Sequence, residues 1–332
     1  MRHEIFSGLT DSQLTACLGL FRKKQLRRGQ RLFEAGRRAN SVAVVLRGTL
    51  LATVNDQAVG RLLEGEVVGE AAGFQGKART ATVRAACDSV VLVLPADNIE
   101  ALRTEFTFVY DRMLERGLLQ LARRVQDTNR RVALSGNGQL AQPKRPRVRE
   151  LSDLWADVVS LAPPDLVPVL RTFEGLEHVD EEVLAAIAAS ADARRVPAGR
   201  PICLEGELGD TLFVLGSGRV RVLRNTRGGR SEELAVLTGP TVFGTGGLLL
   251  GERRNASCVV TEDGAAWVHA LSADALLGLR GEPARVLRES LMASLRLQIR
   301  NAGRLLADIK DAAGTEPISG SLMRASAGGR GS

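Results

Sequence analysis

Aromatic side chains are scarce in this sequence. Phe, Trp and Tyr make up 4% of its 332 residues, with a single Tyr. A base-stacking platform for single-stranded nucleic acid needs more of them, and the core has to be filled by Leu, Val and Ala. Cysteine is as sparse. Cys17, Cys87, Cys203 and Cys258 lie far apart and form no Cys-x-x-Cys pair. That argues against a disulfide framework or a zinc site, and for a reducing cytoplasm. Three of the four sit in apolar or strand-like contexts, where a thiol acts as a small hydrophobe. The histidines, His3, His178 and His269, are isolated, so neither a metal cluster nor a catalytic triad is supported. The longest apolar runs, such as 42–46 and 90–94, are strand-sized and far short of a membrane span. The first residues lack the apolar stretch of a signal peptide. The expectation is a cytoplasmic protein without catalytic residues, metal, cofactor or membrane contact.

What is present is length, charge and repetition. A chain of 332 residues exceeds what one core usually serves, so two domains are expected. The net charge of +7 is concentrated rather than spread. Between 121 and 150 lie Arg123, Arg124, Arg130, Arg131, Lys144, Arg145, Arg147 and Arg149, opposed by Asp127 and Glu150 alone. The stretch 134–150 also holds Ser-Gly-Asn-Gly and Pro-Lys-Arg-Pro-Arg, polar and poorly helical, and reads as a basic linker. As a solvated connector it has no role; as a contact surface it would suit an anionic partner.

The chain repeats itself once. Gly29, Gly36 and Gly48 recur as Gly199, Gly206 and Gly218, a step of 170. Arg79 and Ala81 recur as Arg254 and Ala256, a step of 175, because the hairpin after 225 is longer than the one after 55. Tips of hairpins are where insertions cost least. Each copy opens on a helical entry, at 11–18 and 180–191. Short strands between glycines follow, at 42–46, 50–54, 82–86 and 90–94 in the first copy. Helical periodicity closes each copy, over 96–125 in the first and over 273–279 and 284–309 in the second. A further helix is expected at 151–161. The fold class is α+β, two tandem antiparallel β-roll, jelly-roll-like domains flanked by helices. The domains are 1–133 and 151–312, and 313–332, rich in Gly, Ser and Ala, is expected to be disordered.

Chemistry concentrates in Val68-Gly69-Glu70-Ala71-Ala72-Gly73-Phe74 and the following Ala78-Arg79-Thr80-Ala81-Thr82-Val83. A helix starting near Glu70 would aim backbone N–H groups at an anion. Small residues at Gly69, Ala71 and Ala72 admit a close approach, and Arg79 offers a fork of donors. The Gly-Glu pair, the nine-residue step to Arg79 and the upstream glycines resemble the phosphate-binding cassette of the cyclic nucleotide-binding domain family. The resemblance extends over about residues 5–125 and 170–300, as in tandem kinase A and kinase G regulatory modules. It implies that Gly69, Glu70, Ala71, Ala72, Arg79, Thr80 and Ala81 hold cyclic AMP or cyclic GMP. Arg79 would face the phosphate and Glu70 the ribose 2′-hydroxyl, with the Glu–Arg pair holding both side chains ready. Thr80 does not choose between the bases. Phe108 and Tyr110 are available to cap the base, but Phe108 is expected in the core instead.

The second copy departs from the pattern. It reads Gly244-Thr245-Gly246, then Arg254-Asn255-Ala256, with Thr245 in the place of Glu70. Losing a charged hydrogen bond to a ligand costs roughly 1.5–3 kcal/mol, so this site is expected to be weak, altered or structural. The glycines of 244–251 lack the Lys-Ser/Thr of a P-loop. Arg253-Arg254-Asn255-Ala256-Ser257 looks like a kinase substrate, but Arg254 belongs to the cassette and is expected to be buried. Glu232 and Glu233 are expected to be solvated in a hairpin tip.

The resulting expectation is a ligand-controlled regulator. The cyclic nucleotide binds the first domain, the helix after 96 closes as a lid, and the motion passes through the linker toward a partner protein. One rival is a nucleic-acid regulator using the basic linker. It is disfavoured because 284–309 leaves no room for a three-helix reader. The other is a scaffold with vestigial sites.

Overall fold

The computed structural model describes residues 4–54, 57–74, 76–135, 163–225 and 231–314. After a 3-10 turn at Glu4–Phe6, the first repeat runs α1 (Asp11–Gly19), β1 (Arg22–Leu26), β2 (Arg31–Phe33), β3 (Ser41–Arg47), β4 (Leu50–Val54), β5 (Gln57–Leu62), β6 (Val67–Val68), α2 (Glu70–Gly73), β7 (Thr82–Ala85), β8 (Ser89–Pro95), α3 (Ile99–Glu105) and α4 (Thr107–Ser135). The second runs α5 (Leu166–Leu170), α6 (Glu181–Ala189), β9 (Asp192–Val196), β10 (Pro201–Cys203), β11 (Thr211–Ser217), β12 (Arg219–Asn225), β13 (Ser231–Thr238), β14 (Thr241–Phe243), α7 (Thr245–Leu250), β15 (Ser257–Val260), β16 (Ala266–Ser272), α8 (Ala273–Gly278) and α9 (Gly281–Gly314). The linker, the helix at 151–161 and nearly all of the tail fall outside the described residues.

Each repeat is a roll of two four-stranded antiparallel sheets. The orders are β1-β8-β3-β6 and β2-β7-β4-β5 in the first, and β9-β16-β11-β14 and β10-β15-β12-β13 in the second. The repeat seen in the glycines is therefore a repeat of topology. The connections from β3 to β4 and from β11 to β12, each carrying the chain from one sheet to the other, turn on Gly48 and Gly218, at φ 95° and 90°. A side chain there would also collide with Asp88 and Ser89, or with Ala266.

Strand β3 reads as one apolar run because both of its faces are buried. Successive side chains point to opposite faces. Ala43 and Val45 enter the core inside the first roll, while Val42 and Val44 join a second core beneath the helices. In β11, Phe213 and Leu215 face the inside of the second roll, and Leu212 and Val214 join that same helical core. The two repeats thus share a hydrophobic core, which also takes in Met113 and Leu121 of α4 and Leu291 and Leu295 of α9.

Helices α4 and α9 pack side by side. Arg103 pairs with Glu282, Arg285 Nε lies 3.1 Å from Asp111, and the Tyr110 hydroxyl donates to Glu289 at 2.7 Å. Further along α4, a Cβ on Gly117 would lie 3.3 Å from Met292, beyond the 285–289 stretch that meets Tyr110 and Asp111, so α4 and α9 run parallel.

Several expectations shift here. The periodicity over 96–125 is not one helix. Phe106 adopts φ −126° and ψ 46°, which ends α3, and α4 then continues to Ser135, into the stretch expected to be linker. Phe108 is 51% exposed, with Arg112 stacked on its ring, rather than in the core. Tyr110 is buried and engaged with Glu289. Glu233 is no solvated tip residue: it lies within β13 and pairs with Arg221 Nε at 2.6 Å. No helix among the described residues is long and apolar enough to cross a membrane.

Candidate functional site

Helix α2 is one turn long and is entered through Gly69 in the left-handed region, φ 78°. A Cβ on Gly69 would collide with Arg79 Nη1 and stand 2.7 Å from the Phe33 ring, so the backbone demands glycine twice over. Arg79, from the loop before β7, is 6% exposed. Its Nη1 donates to the Gly69 carbonyl at 3.0 Å and its Nη2 to the Ser41 carbonyl at 2.7 Å. Its guanidinium stacks on Phe33, 3.6 Å from the ring centroid. Burial lowers it to about 10, partly offset by the charge of Glu70, so it stays protonated at neutral pH.

Glu70 does not form the expected pair with Arg79. It is 1% exposed, and its Oε1 accepts from Arg124 Nη1 at 3.1 Å. The reason is geometric: the two Nη groups of Arg79 hold backbone carbonyls, while α4 runs across the cassette and delivers Arg124. Gly117 makes this possible, because a Cβ there would stand 3.0 Å from Glu70 Cβ and Cγ. Gly117 and Arg124 are seven apart, two turns along one face of the helix. The other oxygen, Oε2, is buried without a hydrogen-bond partner. Burial raises the carboxyl above its usual range, against the lowering effect of Arg124 and, less, of Arg79.

Phe33, Ala52, Leu62, Val68, Gly69, Glu70, Ala72, Arg79, Thr80, Ala81, Val83 and Arg124 surround a cavity of about 30 Å³. Ligand pockets measure roughly 300–1,000 Å³. The cavity is an order of magnitude smaller than that, and Arg124 of α4 is among the side chains that narrow it. Of the residues expected from sequence, Gly69, Glu70, Ala72, Arg79, Thr80 and Ala81 all line this cavity, and Ala71 lies between them in α2. Thr80 is exposed and Ala81 packs on the roll core.

The second cassette reproduces the arginine brace. Arg254 Nη1 donates to Gly244 at 2.9 Å and Nη2 to Thr211 at 2.6 Å, and Gly244 has φ 80°. Arg254 is buried, as expected, and its Nε has no hydrogen-bond partner. Thr245 is 4% exposed, so no carboxylate faces Arg254 there. Asn255 is exposed and Ala256 buried. A Cβ on Gly246 would lie 3.3 Å from Gln126 Nε2, so α4 covers this cassette as well. Residues two apart on a helix point nearly opposite ways. Arg124 and Gln126 accordingly reach the two cassettes from one helix lying between them.

Sequence reasoning missed Arg124, Gln126, Phe33 and Gly117. Arg124 was visible only as part of a basic stretch. The glycine seven residues before it, inside a helical pattern, was the available signal. Among the described residues, no cluster of three metal-ligating side chains occurs.

Comparison with known proteins agrees with this geometry. The cyclic nucleotide-binding domain family model matches residues 23–105 and 193–280, together more than half of the chain. The cyclic AMP receptor protein of Thermus thermophilus is 40% identical over 94 residues, 27% of this chain and 41% of that protein. The cGMP-dependent protein kinase egl-4 of Caenorhabditis briggsae is 21% identical over 264 residues, 79% of this chain and 28% of that protein. The chain thus spans less than half the length of both. The regulatory domain of Toxoplasma gondii PKA, solved with cAMP, is 18% identical, with 85% of this chain and 90% of that one covered, at a TM-score of 0.32. With two matched copies, each built on a glycine-led cassette and a buried arginine brace, this chain belongs to the cyclic nucleotide-binding domain family.

Proposed function

We propose that the chain is a non-catalytic, cyclic-nucleotide-responsive regulator whose first cassette binds cyclic AMP or cyclic GMP and whose helix α4 is the moving part. The observation that carries this is Glu70, buried beside Arg79 with Oε2 unpartnered. A buried carboxylate oxygen without a donor is costly. A ribose hydroxyl supplies that donor, and Arg79 supplies charge for the cyclic phosphate, with Gly69, Ala71 and Ala72 leaving room for it.

Entry of a nucleotide requires α4 to withdraw Arg124, since the cavity of about 30 Å³ is far below the roughly 300–1,000 Å³ of a ligand pocket. Withdrawal is felt directly by the second repeat, because α4 also covers Gly246 and packs on α9. The relay then needs no mediation by the linker, in contrast to the route expected from sequence. Its output is a partner protein that reads the position of α4 and α9. The second cassette, with Thr245 for Glu70, is weak or structural.

Titration calorimetry of the full chain with cyclic AMP and with cyclic GMP, alongside Arg79→Ala, tests the reading. One tight site lost in the variant supports it and names the ligand. No heat with either nucleotide, in protein shown to be free of bound nucleotide, leaves a scaffold as the better account.

A further inference from the structure

In the first repeat, β2 pairs with β7 with Arg31 opposite Arg84, a register shift, and then Phe33 opposite Val83. In the second, β10 pairs with β15 with Pro201 opposite Val259, the same shift, and then Cys203 opposite Cys258. The two cysteines therefore stand where Phe33 and Val83 stand. Those two residues line the cavity of the first cassette, and Phe33 is the ring on which Arg79 stacks. At these two positions the second repeat carries thiols in place of a ring and a valine, while Arg254 lies instead over the Phe213 ring, 5.2 Å from its centroid.

We propose that Cys203 and Cys258 are a redox-active dithiol, closed to a disulfide by a hydroperoxide, at the place where the first repeat keeps its nucleotide cavity. Directly opposed residues of antiparallel strands have Cα atoms about 4.5–5.5 Å apart. That separation lies inside the window of about 4.4–6.8 Å that a disulfide accepts. Both residues are 7% exposed and belong to the core inside the second roll, so the two side chains share one face of the sheet. Arg254, which holds two carbonyls through its Nη groups, lies near enough for its positive charge to act on the pair. The neighbouring Cys258 and the Arg254 charge hold the Cys203 thiol below its ordinary value, against the opposing effects of burial and Glu207. Cys258 is raised and stays a thiol.

The chemistry balances without a metal. The Cys203 thiolate attacks one peroxide oxygen, the O–O bond breaks, and hydroxide leaves, giving a sulfenic acid at Cys203. The Cys258 sulfur then attacks the Cys203 sulfur, its proton and the sulfenic hydroxyl leave as water, and the S–S bond forms. Two electrons pass from the thiols to the peroxide. The bond ties β10 to β15 under the second cassette. The other cysteines stand apart from this pair: burial lifts Cys17 to about 11, and Cys87, exposed to the oxidant, has Ser89 beside it.

The test uses the full chain carrying Cys87→Ser, treated with hydrogen peroxide, then denatured, alkylated and mapped by mass spectrometry without reduction. The expected result is the loss of two alkylatable thiols, a peptide pair joined through Cys203 and Cys258, and full recovery with dithiothreitol. Cys203→Ser in the same background is expected to keep its remaining thiols. Overoxidation of Cys203 without a joined peptide overturns the proposal. So does an unchanged thiol count at peroxide doses that consume Cys87 in the unsubstituted protein. The map requires no substitution at the pair itself, so a misfolded variant cannot hide the answer.

Discussion

The guanidinium of Arg124 lies 3.1 Å from the carboxylate of Glu70, and the two residues are 54 apart in sequence. Helix α4 thereby places a cation on the carboxylate that family resemblance assigns to the ribose, and narrows the cavity by the same contact. On the proposed reading, a ligand for this cassette displaces a side chain of the protein itself.

Arg124→Ala removes that competitor. Affinity for the cyclic nucleotide is expected to rise roughly tenfold, about 1.4 kcal/mol. The unliganded protein is expected to lose about 3 kcal/mol, because Glu70 is left buried and unpaired. Calorimetry and urea unfolding read the two effects separately. Weaker binding in the variant means that Arg124 holds the ligand instead of excluding it.

Glu70 gives a pH signature of definite sign. Its carboxyl is held above the ordinary value of 4.5, chiefly by burial. The folded chain then binds this proton more tightly than the unfolded chain does. The favourable contribution is complete below 4.5 and is lost as pH rises through the folded-state pKa. Unfolding free energies of the native protein and of Glu70→Gln, compared from about pH 4 to about pH 8, are expected to diverge in that direction. The native protein falls relative to the variant as pH rises. A flat difference would falsify the burial-dominated account.

Thr245→Glu places in the second cassette the carboxylate it lacks, opposite the Arg254 brace already present. A charged hydrogen bond regained is worth roughly 1.5–3 kcal/mol. The variant is expected to show a second calorimetric binding event weaker than the first. If the stoichiometry stays at one, Thr245 is not what silences this repeat.

The helical core draws on both repeats, with Val44 and Met113 beside Val214 and Leu291. The two rolls are therefore expected to unfold together, in one calorimetric transition rather than two. Leu291→Ala, a truncation at a buried position of α9, is expected to cost about 2–5 kcal/mol. It should lower the single transition as a whole. Two resolved transitions, only one of them moved, defeat this expectation.

Much of the architecture was legible along the chain. Strands 42–46, 50–54 and 90–94 appeared as short apolar runs between glycines. The cassettes appeared as glycine, small residues and an arginine at a constant step. These are local signals: a positive φ, a period of two or 3.6, a hairpin of given length. Phe108 and Glu233 were misplaced because exposure depends on which neighbours arrive from elsewhere. Helix α4 overran its expected end because packing against α7 and α9 extends it into a polar stretch whose propensity alone does not.

The sequence by itself determined that there are two rolls, that the first carries Glu70 and Arg79, and that the second carries Thr245 in place of the carboxylate. Tertiary structure alone decided that Glu70 answers to Arg124, that α4 covers both cassettes, and that Cys203 meets Cys258. The physical reason is separation along the chain. Conformation within a turn or a strand is set by neighbours a few residues away. Partnership across tens of residues is set by sheet register and by the crossing of helices, which place side chains together without leaving a mark in the local pattern.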